Sequence, residues 1–123
     1  MLDLGAGTGR LTRELVQRFA SVVAIEPDDE MRALVGTGAV LAGTAESIPL
    51  EDASVECVFV GEAFHWFDAG RAIDEIARVL VPRGGLAIIW SHWWETELRS
   101  APRSEPRSST ACVRFLRALT GCR

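Results

Sequence analysis

Hydrophobic and polar positions change period along the chain, and each change marks an element. A short apolar stretch, Met1 to Leu4, runs into Gly5-Ala6-Gly7-Thr8-Gly9. Leu11, Leu15 and Phe19 then recur at i, i+4, i+8, which predicts a helix over 11–19 lying on a sheet, with Thr8 as its N-cap. The β-branched run Ser21 to Ile25 predicts a second strand, closed by Glu26-Pro27. Asp28 to Val35 follows as a short helix that begins with acids, as the helix dipole favours. Ala39 to Ala42 reads as a third strand, and Gly43 to Ser54 as a connection rich in turn residues. Val55 to Val60 predicts a central strand. After an aromatic loop, Gly61 to Phe67, Asp68 caps a helix whose apolar face is Ile73, Ile76, Ala77 and Leu80. Pro82 and Gly84-Gly85 end that helix, and Leu86 to Trp90 is a continuous apolar fifth strand.

This alternation specifies an α/β fold, a doubly wound parallel sheet with helices on both faces. Right-handed crossovers give the strand order 3-2-1-4-5. Beyond Trp90 the pattern fails. Ala101 to Thr110 is rich in Ser, Arg and Pro and is expected to be disordered; Ala111 to Leu119 reads as one short helix, and no sixth strand is drawn. The division is therefore a core over 1–93 and an atypical tail over 94–123.

With 123 residues, 48% of them hydrophobic and 24% charged, the chain has the size and composition of one globular domain. It has no apolar run long enough for a membrane span and no signal-peptide pattern, so the expected location is cytoplasmic. Three cysteines, Cys57, Cys112 and Cys122, lack C-x-x-C spacing and imply neither a disulfide framework nor a metal site. The net charge of −4 argues against nucleic-acid binding, although six arginines face a single acid, Glu105, from Arg99 onward.

The chemistry gathers at the predicted carboxyl edge of the sheet, where a doubly wound fold opens a ligand crevice. The loop reads G-x-G-x-G and not the dinucleotide pattern G-x-G-x-x-G, with Arg10 at the place of the last glycine. Asp3 stands just before it. A carboxylate there repels a pyrophosphate and attracts an amino group or sulfonium; its plain alternative is a buried acid satisfied by loop amides. Glu26, ~20 residues after the glycine loop, is placed to accept from ribose hydroxyls, or is a solvated charge at a strand end. Ala45 and Glu46 follow the third strand, where a small residue lets an adenine ring lie flat; the alternative is a surface loop. Gly61 to Phe67 supplies aromatics that wall a cofactor or pack as core. His65 within it is a candidate general base, against a structural or pocket-lining role. His92-Trp93-Trp94 reads as apolar surface whose cover is missing.

Five stretches in this order resemble the class I S-adenosylmethionine-dependent methyltransferases of the small-molecule methyltransferase-domain type. They are Leu2 to Gly9; Ala24-Ile25-Glu26-Pro27; Gly43-Thr44-Ala45-Glu46 with Ile48-Pro49; Ala63 to Phe67; and Glu75 to Leu80 through Pro82 to Gly85. The resemblance implies a Rossmann-like fold and S-adenosyl-L-methionine as cofactor. It places Gly5, Ala6, Gly7 and Gly9 along the methionine part and Asp3 at the amino group. Glu26 falls on the ribose, Pro27 and Met31 beside the adenosine, and Ala45 and Glu46 at the adenine. Gly61 and Ala63 border the sulfonium, with His65 and Trp66 toward a small-molecule acceptor. Methyl transfer is an in-line displacement that needs alignment more than a metal or a nucleophile.

The chain departs from the family pattern at both ends. It begins inside the first strand, and a Ser/Arg/Pro tail replaces the usual antiparallel hairpin after the fifth. The absence of lysine is consistent with a GC-rich coding sequence, and a shifted reading frame or fusion scar after about Trp93 accounts for the tail. On that reading the fifth strand is an open apolar edge that an oligomer would cover. Two other functions remain to be weighed: a non-catalytic module that pairs through this edge, and an NAD-binding oxidoreductase domain.

Overall fold

The computed structural model describes residues 1–91 and 111–117, the backbone alone for Ser91 and 111–117. Five parallel strands, β1 (Leu2–Leu4), β2 (Val23–Ile25), β3 (Ala39–Leu41), β4 (Val55–Gly61) and β5 (Leu80–Ser91), lie in the order β3-β2-β1-β4-β5. This is the predicted α/β topology. The helices are α1 (Arg10–Val16), α2 (Asp29–Leu34) and α3 (Ala69–Val79), with a 3-10 turn at Phe64–Trp66. Among the described residues no helix is long and apolar enough to cross a membrane.

The pleat sorts side chains between two faces. Leu2 and Leu4 of β1, Val58 and Val60 of β4, and Leu86 and Ile88 of β5 share one buried cluster with Ala72, Ile76 and Val79 of α3. Asp3 and Phe59, between those positions, turn to the other face, where Thr12 of α1 and Phe19 meet them. Of the expected α3 face, Ile76 and Leu80 are buried, but its other buried positions are Ala72 and Val79 and not Ile73 and Ala77: Ala72 is fully buried and Ile73 is 41% exposed.

Several local expectations are corrected. Helix α1 stops at Val16, and its cap is Gly9, at φ +82, without a side-chain hydrogen bond, so Thr8 does not cap it. Asp68 caps α3 as expected, accepting from the Arg71 amide at 3.3 Å, while Asp28, read as the first residue of a helix over 28–35, instead caps α2, accepting from the Met31 amide at 2.9 Å. The segment 80–85 is not a loop. It continues from α3 as the first half of β5, and a register shift beside Val55 and Cys57 absorbs Pro82, Arg83 and Gly84.

The largest correction lies at the far edge. Ala111–Arg117 is not a helix but a sixth strand, β6, antiparallel to β5 from Gly85↔Arg117 to Ser91↔Ala111. The edge of β5 expected to stand open is thus paired. The Ala101 to Thr110 stretch and His92-Trp93-Trp94 lie outside the described residues.

A second network holds the connection between β3 and β4. Arg78 of α3 donates to Glu75 Oε1 and Oε2, to Asp52 Oδ1, and to the carbonyls of Ile48 and Leu50, all at 2.8 Å. Glu75 also accepts from the Ile48 amide at 2.8 Å. Arg78 foremost, then the amide, hold the Glu75 carboxyl down at about 2.

Candidate functional site

At the carboxyl edge of β1, Gly5, Gly7 and Gly9 all take positive φ, which an L side chain adopts at a penalty. They do different work. A Cβ on Gly5 would lie 2.8 Å from Ala63 Cβ, so Gly5 lets the aromatic loop close over the turn. A Cβ on Gly9 would lie 2.8 Å from Val35 Cα, so Gly9 lets α1 pack on the end of α2. A Cβ on Gly7 would meet nothing within 4 Å, because Gly7 faces open space.

That space is a cleft of about 810 Å³, within the range of small-ligand sites. Asp3, Gly5, Ala6 and Gly7 line it, as do Glu26, Pro27 and Met31 from β2 and α2, and Gly61, Ala63 and Trp66 from the end of β4 and the aromatic loop. These expected site residues are therefore brought together. Four others are placed differently. Gly9 is buried against Val35 and does not line the cleft. Ala45 and Glu46 line a neighbouring hollow of about 130 Å³, which shares Gly5, Pro27, Trp66 and Phe67 with the cleft. The Glu46 carboxylate is committed there, accepting from the Asp68 amide at 2.7 Å. His65 lines neither space; its ring lies 4.9 Å from that of Trp66, which is 79% exposed.

The two acids at the floor differ in how far they are satisfied. Glu26 is buried, and its oxygens accept from the Gly7 amide at 2.8 Å and the Asp28 amide at 3.0 Å. It thereby pins the glycine turn to the start of α2. Asp3 is 1% exposed; Oδ2 accepts from Thr12 Oγ1 at 2.6 Å, while Oδ1 is buried without a partner. Burial raises the Asp3 carboxyl to about 6, with the Thr12 hydroxyl opposing and the Glu26 charge adding to the rise. Thr12 was not anticipated. Its signal was a small hydroxyl in the first turns of α1, off the leucine stripe, where it meets the strand residue between two leucines.

A buried carboxylate oxygen without a donor is costly, and a ligand that brings one relieves it. Around it the described lining residues hold four acids, Asp3, Glu26, Asp28 and Glu62, against one cation, Arg10. The cleft therefore favours a positively charged ligand over a diphosphate. An S-adenosylmethionine molecule, with its ammonium and sulfonium, fits that donor demand and that charge.

Comparison with known proteins agrees. Residues 2–88 match the family model described as a methyltransferase domain. The chain is 53% identical over 95 residues to an uncharacterised methyltransferase of Mycobacterium tuberculosis, covering 74% of this chain and 39% of that protein. It is 42% identical over 98 residues to a malonyl-[acyl-carrier protein] O-methyltransferase of Methylococcus capsulatus, covering 71% of this chain and 35% of the relative. The chain thus spans well under half the length of these relatives. Among solved structures, the YcgJ protein of Bacillus subtilis superposes with a TM-score of 0.69 at 27% identity, over 74% of this chain and 43% of that one. The match over residues 2–88 and the five parallel strands in this order thus agree, and the chain belongs to the class I S-adenosylmethionine-dependent methyltransferases.

Proposed function

We propose that residues 1–93 form the cofactor-binding core of an enzyme that transfers a methyl group from S-adenosylmethionine to a small-molecule acceptor. The observation that carries this reading is the Asp3 carboxyl, buried and half-satisfied on the floor of a glycine-walled, acid-rich cleft. When bound, S-adenosylmethionine supplies an electrophilic methyl carbon on a cationic sulfur. Asp3 accepts from the ammonium, directly or through water, and the backbone of Gly5, Ala6 and Gly7 borders the amino-acid part. Each Glu26 oxygen keeps a lone pair for a ribose hydroxyl beside the amide it already holds. Pro27 and Met31 flank the adenosine. Ala45 and the backbone of Glu46 meet the adenine in the smaller hollow, the Glu46 carboxylate being committed to Asp68. Gly61 and Ala63 border the sulfonium.

Trp66 stands toward the acceptor. His65 is outside the lining, so the reading assigns it no proton transfer. Holding the acceptor in line supplies the rate, and such alignment is worth ~7–11 kcal/mol. A carboxylate acceptor needs no base, because it arrives ionised near neutral pH. The Methylococcus relative, named for O-methylation of a malonyl-acyl-carrier protein, supports that acceptor class.

Calorimetric titration with S-adenosylmethionine and S-adenosylhomocysteine tests the cofactor site. Saturable binding of both is expected, weakened at least about tenfold by Glu26→Ala, since lost hydrogen bonds to a charged group cost 1.5 kcal/mol or more. A folded chain that binds neither nucleoside overturns the reading.

A further inference from the structure

Arg10 is the first residue of α1 and lines the cleft. It is the sole cation among the described lining residues. Four other arginines are tied down, and Arg71 and Arg83 lie outside the cleft: Arg13 holds the Thr8 carbonyl, Arg18 Glu14, Arg32 the Glu26 carbonyl, and Arg78 Glu75 and Asp52. Among the described residues the Arg10 guanidinium has no hydrogen-bonded or ionic partner. Three acids of the cleft are engaged elsewhere. Glu26 holds two amides, Asp28 caps the Met31 amide, and Asp3 accepts from Thr12. One cation without a counter-charge and one buried carboxylate oxygen without a donor therefore border the same cleft. Together they are the complement of a zwitterion.

We propose that Arg10 is the carboxylate-binding residue of this cleft. The inference rests on the function proposed above. Its planar fork of N–H donors matches a carboxylate with two parallel bonds, while Asp3 accepts from an ammonium. The carboxylate has two candidate sources, the amino-acid end of S-adenosylmethionine or a carboxylate on the acceptor.

Three probes separate them, titrated into the full chain and into Arg10→Met and Arg10→Lys: S-adenosylmethionine, its decarboxylated analogue, and malonate. Malonate is added to the chain alone and to the chain loaded with S-adenosylhomocysteine. If the cofactor is the source, wild type prefers S-adenosylmethionine to the decarboxylated analogue by about tenfold, one charge-assisted contact, and Arg10→Met erases the preference. Arg10→Lys keeps part of it, because the charge survives and the fork does not. If the acceptor is the source, Arg10→Met leaves both nucleosides unchanged and loses malonate. Affinities for all three probes that ignore Arg10→Met overturn the proposal. An equal loss for both nucleosides with malonate unaffected also overturns it. A wild-type chain that binds no nucleoside but holds malonate through Arg10 ends the cofactor reading and keeps the carboxylate site; binding of neither ends both.

Discussion

Two carboxyl groups of this chain sit in opposite circumstances. Glu75, on α3, accepts from a guanidinium and a backbone amide and is held at about 2. Asp3, on β1, accepts from one hydroxyl, is nearly inaccessible, and stands at about 6. The first is finished by its own fold: Arg78 satisfies it and staples residues 48–52 to α3. The second is left unfinished by its fold. The difference separates a structural ion network from a candidate ligand site, because only the unfinished group gains when something binds.

The largest expected effect breaks the frame in which Asp3 is held. Gly9→Ala forces a Cβ onto Val35 at positive φ and should destabilise the chain by about 3 kcal/mol in a urea titration, summing strain and overpacking. Gly7→Ala has the same backbone sign but open space, so its loss should be nearer 1 kcal/mol. Equal losses would mean that Val35 yields and that Gly9 is not a packing glycine.

Asp3→Asn sharpens the contrast directly. The folded carboxyl stands at about 6 against an ordinary 3.8, so burial favours its neutral form. Its contribution to stability is full below about pH 4 and is lost as pH rises through 6. Asp3→Asn should therefore be more stable than wild type by about 2 kcal/mol at pH 8 and equal to it near pH 3.5, provided the amide keeps Thr12. The same variant should bind S-adenosylmethionine more weakly at pH 8, and the wild-type affinity should climb as pH rises through 6. Denaturant titrations across pH and calorimetry check both halves. A variant less stable at pH 8 would show that Asp3 is not strained by burial.

Glu75 gives the smallest effect and the opposite sign. Its carboxyl is depressed from 4.5 to about 2, so its contribution is present above pH 4.5 and lost as pH falls through 2. Glu75→Gln should lower the melting temperature modestly at pH 7 and lose that deficit toward pH 2. A deficit that persists unchanged into acid would assign the effect to packing.

The parallel sheet was legible because its determinants are local. Apolar runs, glycine stops and the Asp68 cap each lie within a few residues of the element they define. The Asp3, Glu26 and Gly7 constellation was legible for a related reason, since strand ends converge on one edge whatever the sequence between them. What stayed hidden depends on contacts distant in sequence. The Glu46 carboxylate looked free to face a ligand, and its partner is an amide 22 residues away. Thr12 is silent until Asp3 lies beneath it. Residues 111–119 carry two each of leucine, alanine and arginine and so resemble a helix, and the waiting edge of β5 makes 111–117 a strand. On α3, Ile76 and Leu80 were legible, but Ala72, too small to stand out in a hydrophobic pattern, joins the buried cluster in place of Ile73.

The meeting of Gly5 with Ala63 and Phe67 has an evolutionary corollary. Two loops from separate strands touch through a bare α-carbon and a single methyl, leaving no slack between them. Enlarging Ala63 would push on the turn beneath it, so drift in that residue would be punished at the glycine turn whatever else it did. Variation is accordingly channelled outward to Trp66, which is 79% exposed and whose surroundings are open enough to tolerate change.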